Sequence, residues 1–120
     1  LKYVYFQKRN LSRYLKIFNI IKKIYGLNPF LIHEFGTLYM KLKKYKKAYQ
    51  YFFKQIKKTP YFALYYYRLG QISSILNMKK KSKEFFIKFI KIVKTNKSLK
   101  IYKYYPIKKM LKNAQKWVKF

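Results

Sequence analysis

Residues 29–62 read PFLIHEFGTLYMKLKKYKKAYQYFFKQIKKTPYF. In the second half of this stretch Tyr45, Ala48, Tyr49, Phe52, Phe53 and Ile56 recur at three- and four-residue spacing, the period of a helix with one buried face. Asn28-Pro29 and Thr59-Pro60 punctuate the two ends, and Gly26 precedes the first of them. Sliding the sequence by 34 residues sets Gly36 on Gly70, Phe35 on Leu69, Leu42 on Leu76, Ala48 on Ser82 and Phe52 on Phe86. In a chain with three glycines this coincidence signals an internal repeat.

Segments 29–42, 45–58, 63–76 and 79–94 therefore read as helices joined by short turns. Gly36 and Ala48 are separated in sequence by the same interval as Gly70 and Ser82, so each small pair can face across a tight helical hairpin. Small side chains there let two helices approach closely, while Phe35, Tyr39 and Phe52 fill the space beside them.

These positions resemble the tetratricopeptide repeat, a helix-turn-helix unit of 34 residues. Residues 29–62 carry Phe35-Gly36, Tyr39, Tyr45, Ala48, Phe52 and Pro60, nearly every signature position. Residues 63–96 keep Leu69-Gly70, Ser82 and Phe86 but have Ser73, Lys79 and Lys94 where Tyr39, Tyr45 and Pro60 stand in the first copy. Residues 1–28 read as a degenerate copy or a helical hairpin, with Tyr5 and Phe18 at the equivalents of Tyr39 and Phe52 but Lys2 and Tyr14 at the small positions. The resemblance implies an all-α fold, a short α-solenoid of antiparallel hairpins forming one helical-repeat domain over residues 1–120.

Residues 97–120 fall outside the repeats. Pro106 suits the first turn of a final helix, where its missing N–H is not needed. Ile107, Met110, Leu111, Ala114 and Val118 then form one apolar stripe, with Lys108, Lys109, Lys112, Lys116 and Lys119 elsewhere. This basic amphipathic helix reads as a cap over the end of the solenoid, or else as an element lying on RNA, on a membrane surface or in a partner's groove. Trp117 would anchor any of these.

The charge is lopsided: 31 Lys and Arg stand against two acids, Glu34 and Glu84, for a net +29. Abundant Lys, Ile, Phe, Tyr and Asn suggest an AT-rich genome, yet Glu and Asp codons are also fairly AT-rich, so coding bias does not account for the missing carboxylates. Their depletion points to life beside a dense negative charge, nucleic acid first and an anionic membrane surface next. With 51% apolar and 22% aromatic residues the chain should fold rather than behave as a disordered basic tail. Charges interrupt every apolar run well short of a membrane span. The absence of cysteine fits a reducing compartment. The start at Leu1 rather than Met fits a fragment or a processed form, and it carries no recognisable signal peptide.

Mapped onto the expected helices, Lys and Arg avoid 29–42, which holds only Lys41 of that set, and 63–76, which holds only Arg68. It gathers at Lys43, Lys44, Lys46, Lys47, Lys54, Lys57 and Lys58 in the first repeat and at Lys79, Lys80, Lys81, Lys83, Lys88, Lys91 and Lys94 in the second. These lysines are the candidate polyanion contacts, sequence-independent and salt-sensitive. The resemblance places first helices along a concave groove, here lined by Phe30, His33, Thr37, Met40, Leu64, Tyr67, Gln71 and Ser74, a neutral aromatic surface for a protein segment or for the chain's own C-terminal helix. Tyr102, Tyr104 and Tyr105, beside Lys100 and Lys103, are candidates for stacking on bases.

Catalysis has little raw material. His33 has no Asp or Cys to work with, and its neighbour Glu34 points about 100° away around a helix. No metal set, cofactor motif or glycine-rich phosphate loop is expected. His33 and Thr37 also depart from the Lys and Asn set with which familiar peptide-binding members of this family clamp a carboxylate.

The expectation is therefore a non-catalytic structural protein of a large ribonucleoprotein, reading as a mitochondrial ribosomal protein in contact with rRNA or other structured RNA and with neighbouring proteins. The alternative is a protein–protein adaptor in a multi-subunit or membrane-associated assembly, its lysines meeting acidic subunits or anionic lipid.

Overall fold

A computed structural model of the chain describes residues 8–26, 28–95 and 105–119. Among these residues there are six helices and no strand: α1 (Lys8–Tyr25), α2 (Pro29–Lys41), α3 (Tyr45–Lys58), α4 (Ala63–Ile75), α5 (Lys79–Thr95) and α6 (Ile107–Val118). Consecutive helices from α2 onward pack as neighbours, α2 on α3, α3 on α4, α4 on α5 and α5 on α6, with α2 also touching α4. That is the helical stack expected from the repeat.

Helix starts and stops follow local chemistry. Asn28 caps α2, its side-chain oxygen accepting from the Leu31 N–H at 2.9 Å, and Pro29 occupies the first turn. The helices expected to reach residues 42 and 76 stop one residue earlier, because Lys43 and Asn77 turn the chain back with φ of 60° and 61°. In both turns the same pair of bonds seals the helix end: Lys43 N–H to Met40 O with Lys44 N–H to Tyr39 O, and Asn77 N–H to Ser74 O with Met78 N–H to Ser73 O. The repeat thus extends to the backbone of its turns.

The two glycines expected at helix contacts sit under phenylalanine rings. A Cβ added at Gly36 would run into the Phe52 ring, and one at Gly70 would lie 2.7 Å from the Phe86 ring. The small residues behave as the hairpin reading requires, since Ala48 and Ser82 are wholly buried and the Ser82 hydroxyl donates to Gly70 O at 2.7 Å. The open side of each glycine, where a Cβ would stand, is taken by the aromatic ring.

At the centre lies α4, buried on almost every side: Ala63 to Tyr67, Leu69, Gly70, Ile72 and Ser73 are all in the core. A helix apolar all round belongs inside. Two of its tyrosines tie the stack through backbone carbonyls, Tyr65 donating to Pro29 O at 3.3 Å and Tyr66 to Pro60 O at 2.7 Å. Toward the N-terminus, α1 is one continuous helix whose Phe18 ring stacks on Phe35 at 4.3 Å between centroids. Tyr5 and Lys2, named above for a degenerate repeat, lie outside the described residues, as does the side chain of Tyr14.

The apolar stripe of α6 is spent on the core. Ile107, Met110 and Ala114 are buried, Leu111 and Val118 pack against them, and Trp117 meets Phe86 edge to face at 6.1 Å. Asn113 reaches back to donate to the Tyr67 hydroxyl at 3.3 Å. α6 therefore closes the stack beside α5, and its lysines face outward.

Gly36→Ala should destabilise the fold by about 1–3 kcal/mol, the usual cost of overpacking, even though alanine is the better helix former. Phe52→Leu in the same chain should recover part of that loss by vacating the space. Urea denaturation of both variants checks this, and an unchanged midpoint for Gly36→Ala would contradict the ring-on-glycine contact.

Candidate interaction surfaces

The first helices were expected to present an open neutral groove, and the structure corrects this for three of its eight residues. His33 and Leu64 are completely buried and Tyr67 nearly so, whereas Phe30, Thr37, Met40, Gln71 and Ser74 are half-exposed. The lack of lysine on α4 reflects burial in the stack rather than a neutral wall offered to a partner.

Part of the groove is filled by the chain itself. Tyr105, just ahead of α6, stacks on Phe30 at 6.0 Å and meets the His33 ring edge-on at 5.3 Å. Its hydroxyl donates to Glu34 Oε1 at 2.6 Å. Tyr105 was a candidate for stacking on bases; it is half-buried against these side chains, and burial followed by the Glu34 hydrogen bond pushes its hydroxyl pKa up. Tyr102, Tyr104, Lys100 and Lys103 lie outside the described residues.

Beneath Tyr105 is a polar cluster that the sequence did not announce. Arg68 Nε donates to His33 Nε2 at 3.0 Å, and Arg68 Nη1 donates to Gln71 Oε1 at 2.9 Å. Because Nε2 accepts, His33 is the neutral imidazole with its proton on Nδ1, facing Glu34 Oε1 at 3.4 Å. That last approach is long for a hydrogen bond and sets the Nδ1–H dipole of the neutral ring against the carboxylate charge. Glu34 was expected to point away from His33; instead its flexible side chain bends back to the ring edge, with Tyr105 holding the same oxygen.

The electrostatics follow. Burial pushes the His33 pKa down, and the nearby Arg68 charge adds to this while Glu34 opposes it. Glu34 is held at about 2, chiefly by its contact with His33 and against partial burial, with the Tyr105 hydroxyl helping. Such a cluster positions helices α2 and α4 and the Tyr105 segment. Among the described residues no three His, Cys, Asp or Glu side chains gather to hold a metal.

The candidate lysines sit at the surface. Lys43, Lys46, Lys47, Lys54, Lys57, Lys58, Lys79, Lys80, Lys81, Lys83 and Lys88 are all exposed, while Lys44, at the N-cap of α3, is half-buried. Lys57 lies 5.2 Å from the centroid of the exposed Phe53 ring. Two clefts open within this field, one of about 510 Å³ along Lys43 to Lys47 with Leu76, the other of about 330 Å³ between Lys79, Lys80, Lys83 and Trp117. Glu34 is tied into the inner cluster, so Glu84 is the one acid within the lysine field.

A different surface lies at the α1 end. Ile17, Ile20 and Ile24 project from α1 with half or more of their surface exposed, and an apolar cleft of about 240 Å³ runs between α1 and α2. No described helix is long and apolar enough to cross a membrane.

Set against protein families, the chain matches the model for the tetratricopeptide repeat at residues 31–57 and 63–96. A comparison with curated proteins gives no match.

Acid should weaken the fold in two steps. A buried neutral His33 contributes stability that is present above its unfolded pKa near 6.5 and is lost as pH falls below it. The depressed Glu34 contributes stability present above about 4.5 and lost as pH falls toward about 2. Glu34→Gln should remove the lower step, measured as urea midpoint against pH; an unaltered profile would show that Glu34 is not engaged.

Proposed function

From the premise that the chain belongs to the tetratricopeptide repeat family, whose repeats serve as non-catalytic scaffolds for protein–protein interaction, we propose that it is a structural protein of a large ribonucleoprotein. In this reading the lysine-covered helices α3 and α5 neutralise RNA phosphates while another face of the stack meets a neighbouring protein. The observation that carries it is the charge: 31 basic residues against two acids, with the lysines of α3 and α5 exposed and one of the two acids already engaged by Tyr105 and His33. A merely soluble surface intersperses both signs. Lysine contacts of this kind position a protein on RNA by shape and charge without reading bases.

The finer assignment is a ribosomal protein of a mitochondrion whose genome is AT-rich, with rRNA as the polyanion. The lysine-heavy composition and the helical-repeat scaffold support it. A second reading, an adaptor within a multi-subunit assembly, is favoured at one place, the exposed isoleucines of α1 and the apolar cleft beside them. In the ribonucleoprotein this is where the protein neighbour sits, so the two readings differ in what the lysines touch.

The purified chain should bind structured RNA with an affinity that falls linearly on a log–log plot of salt, by about 0.7–0.9 per phosphate contact. Changing Lys46, Lys47 and Lys54 to Gln should reduce that slope by about 2 while leaving the melting temperature unchanged. A flat salt response, or equal slopes for the two proteins, would count against RNA as the partner of this surface.

A further inference from the structure

The cleft between α5 and α6 sets three lysines against an exposed indole. Lys79, Lys80 and Lys83 fall on one side of the first turns of α5, at successive angles of about 0°, 100° and 40° around the helix. Opposite them stands Trp117, the single tryptophan of the chain, 39% exposed although its other contacts bury it against Phe86. The cleft measures about 330 Å³, within the range of about 300–1,000 Å³ typical of small-ligand sites. Glu84 lies one turn beyond Lys80 and does not line it.

We propose that this cleft is a nucleotide site, in which one unpaired base of an RNA strand stacks on the Trp117 indole and its flanking phosphates are held by Lys79, Lys80 and Lys83. The inference rests on the reading of the lysine field as RNA-facing and adds a place where the protein takes a single-stranded segment. A nucleotide joins the two chemistries this cleft lines up, since every base offers a π-face to an aromatic side chain while lysine meets phosphate as a point charge. Exposed Lys91, at about 120° on the same reckoning, lies farther along this side of α5, so a further phosphate of a strand has a cation to meet. An acidic peptide would satisfy the lysines and leave the indole without a ring to cover.

Trp117 reports directly, because no other tryptophan contributes to the fluorescence. Titration of the full chain with a short oligouridylate should quench that fluorescence, whereas inorganic polyphosphate of matched length should bind without quenching. Trp117→Leu should weaken oligouridylate binding by about 5- to 150-fold and leave a blunt RNA duplex, which presents only phosphates, bound as before. Because Trp117 also packs on Phe86, the exposed pair Lys80→Ala with Lys83→Ala serves as a second variant, expected to weaken the same oligonucleotide at unchanged melting temperature. Oligouridylate that binds without quenching, and equally well to both variants, overturns the site while the RNA-facing reading stands. Failure of every RNA to bind at low salt overturns both. Quenching by polyglutamate as strong as by the oligonucleotide assigns the cleft to an acidic peptide instead, and uridine monophosphate binding as tightly as the strand removes the strand from the proposal.

Discussion

Two phenylalanine rings lie on two glycines, Phe52 on Gly36 and Phe86 on Gly70, and the rest of the stack takes its spacing from these contacts. Without a Cβ on the first helix, the ring of the second helix can press against backbone, and the two axes come close enough for Ala48 and Ser82 to be fully buried beside them. Each hairpin then presents a surface on which the next can pack, so that α4 ends up enclosed by α3 and α5 and reaches across to α2. The matching turns at Lys43 and Asn77 hold the same geometry in the backbone.

Enclosure of α4 has an electrostatic consequence. A helix buried on nearly all sides has no room for lysine ammonium groups, and Arg68 is accommodated only because His33, Gln71 and the Tyr67 face receive its guanidinium. The positive charge of the chain is therefore pushed out to α3, α5 and α6, where the lysines are exposed. With so few carboxylates the repulsion among them is not relieved from within. A polyanionic neighbour would relieve it, which is why the fold and the proposed function point the same way.

The repeat, its helices and the stripe of α6 were legible in the sequence because each rests on local spacing: glycine, small residue and aromatic recur at fixed intervals, and apolar residues recur every three or four. What rests on contacts between distant segments was not. Tyr105 reads as an exposed aromatic among lysines, yet it lies against Phe30 and Glu34, which only the path of the chain into α6 reveals. The sequence of α4, charged only at Arg68, fits either a groove wall or an enclosed helix, and composition alone does not separate them. The His33–Arg68 pair did leave a trace, since a separation of one residue more than the repeat places both on neighbouring first helices. Glu34 misled because helical angle describes Cβ directions and says little about where a long side chain ends.

The central claim is that the exposed lysines of α3 and α5 face RNA phosphate inside a larger particle. Cross-linking in intact cell extract, followed by identification of what is attached to Lys43–Lys47 and Lys79–Lys83, addresses it most directly. The account predicts RNA adducts on both segments, together with protein adducts elsewhere on the stack. Adducts to proteins or lipid alone at both lysine segments would contradict it.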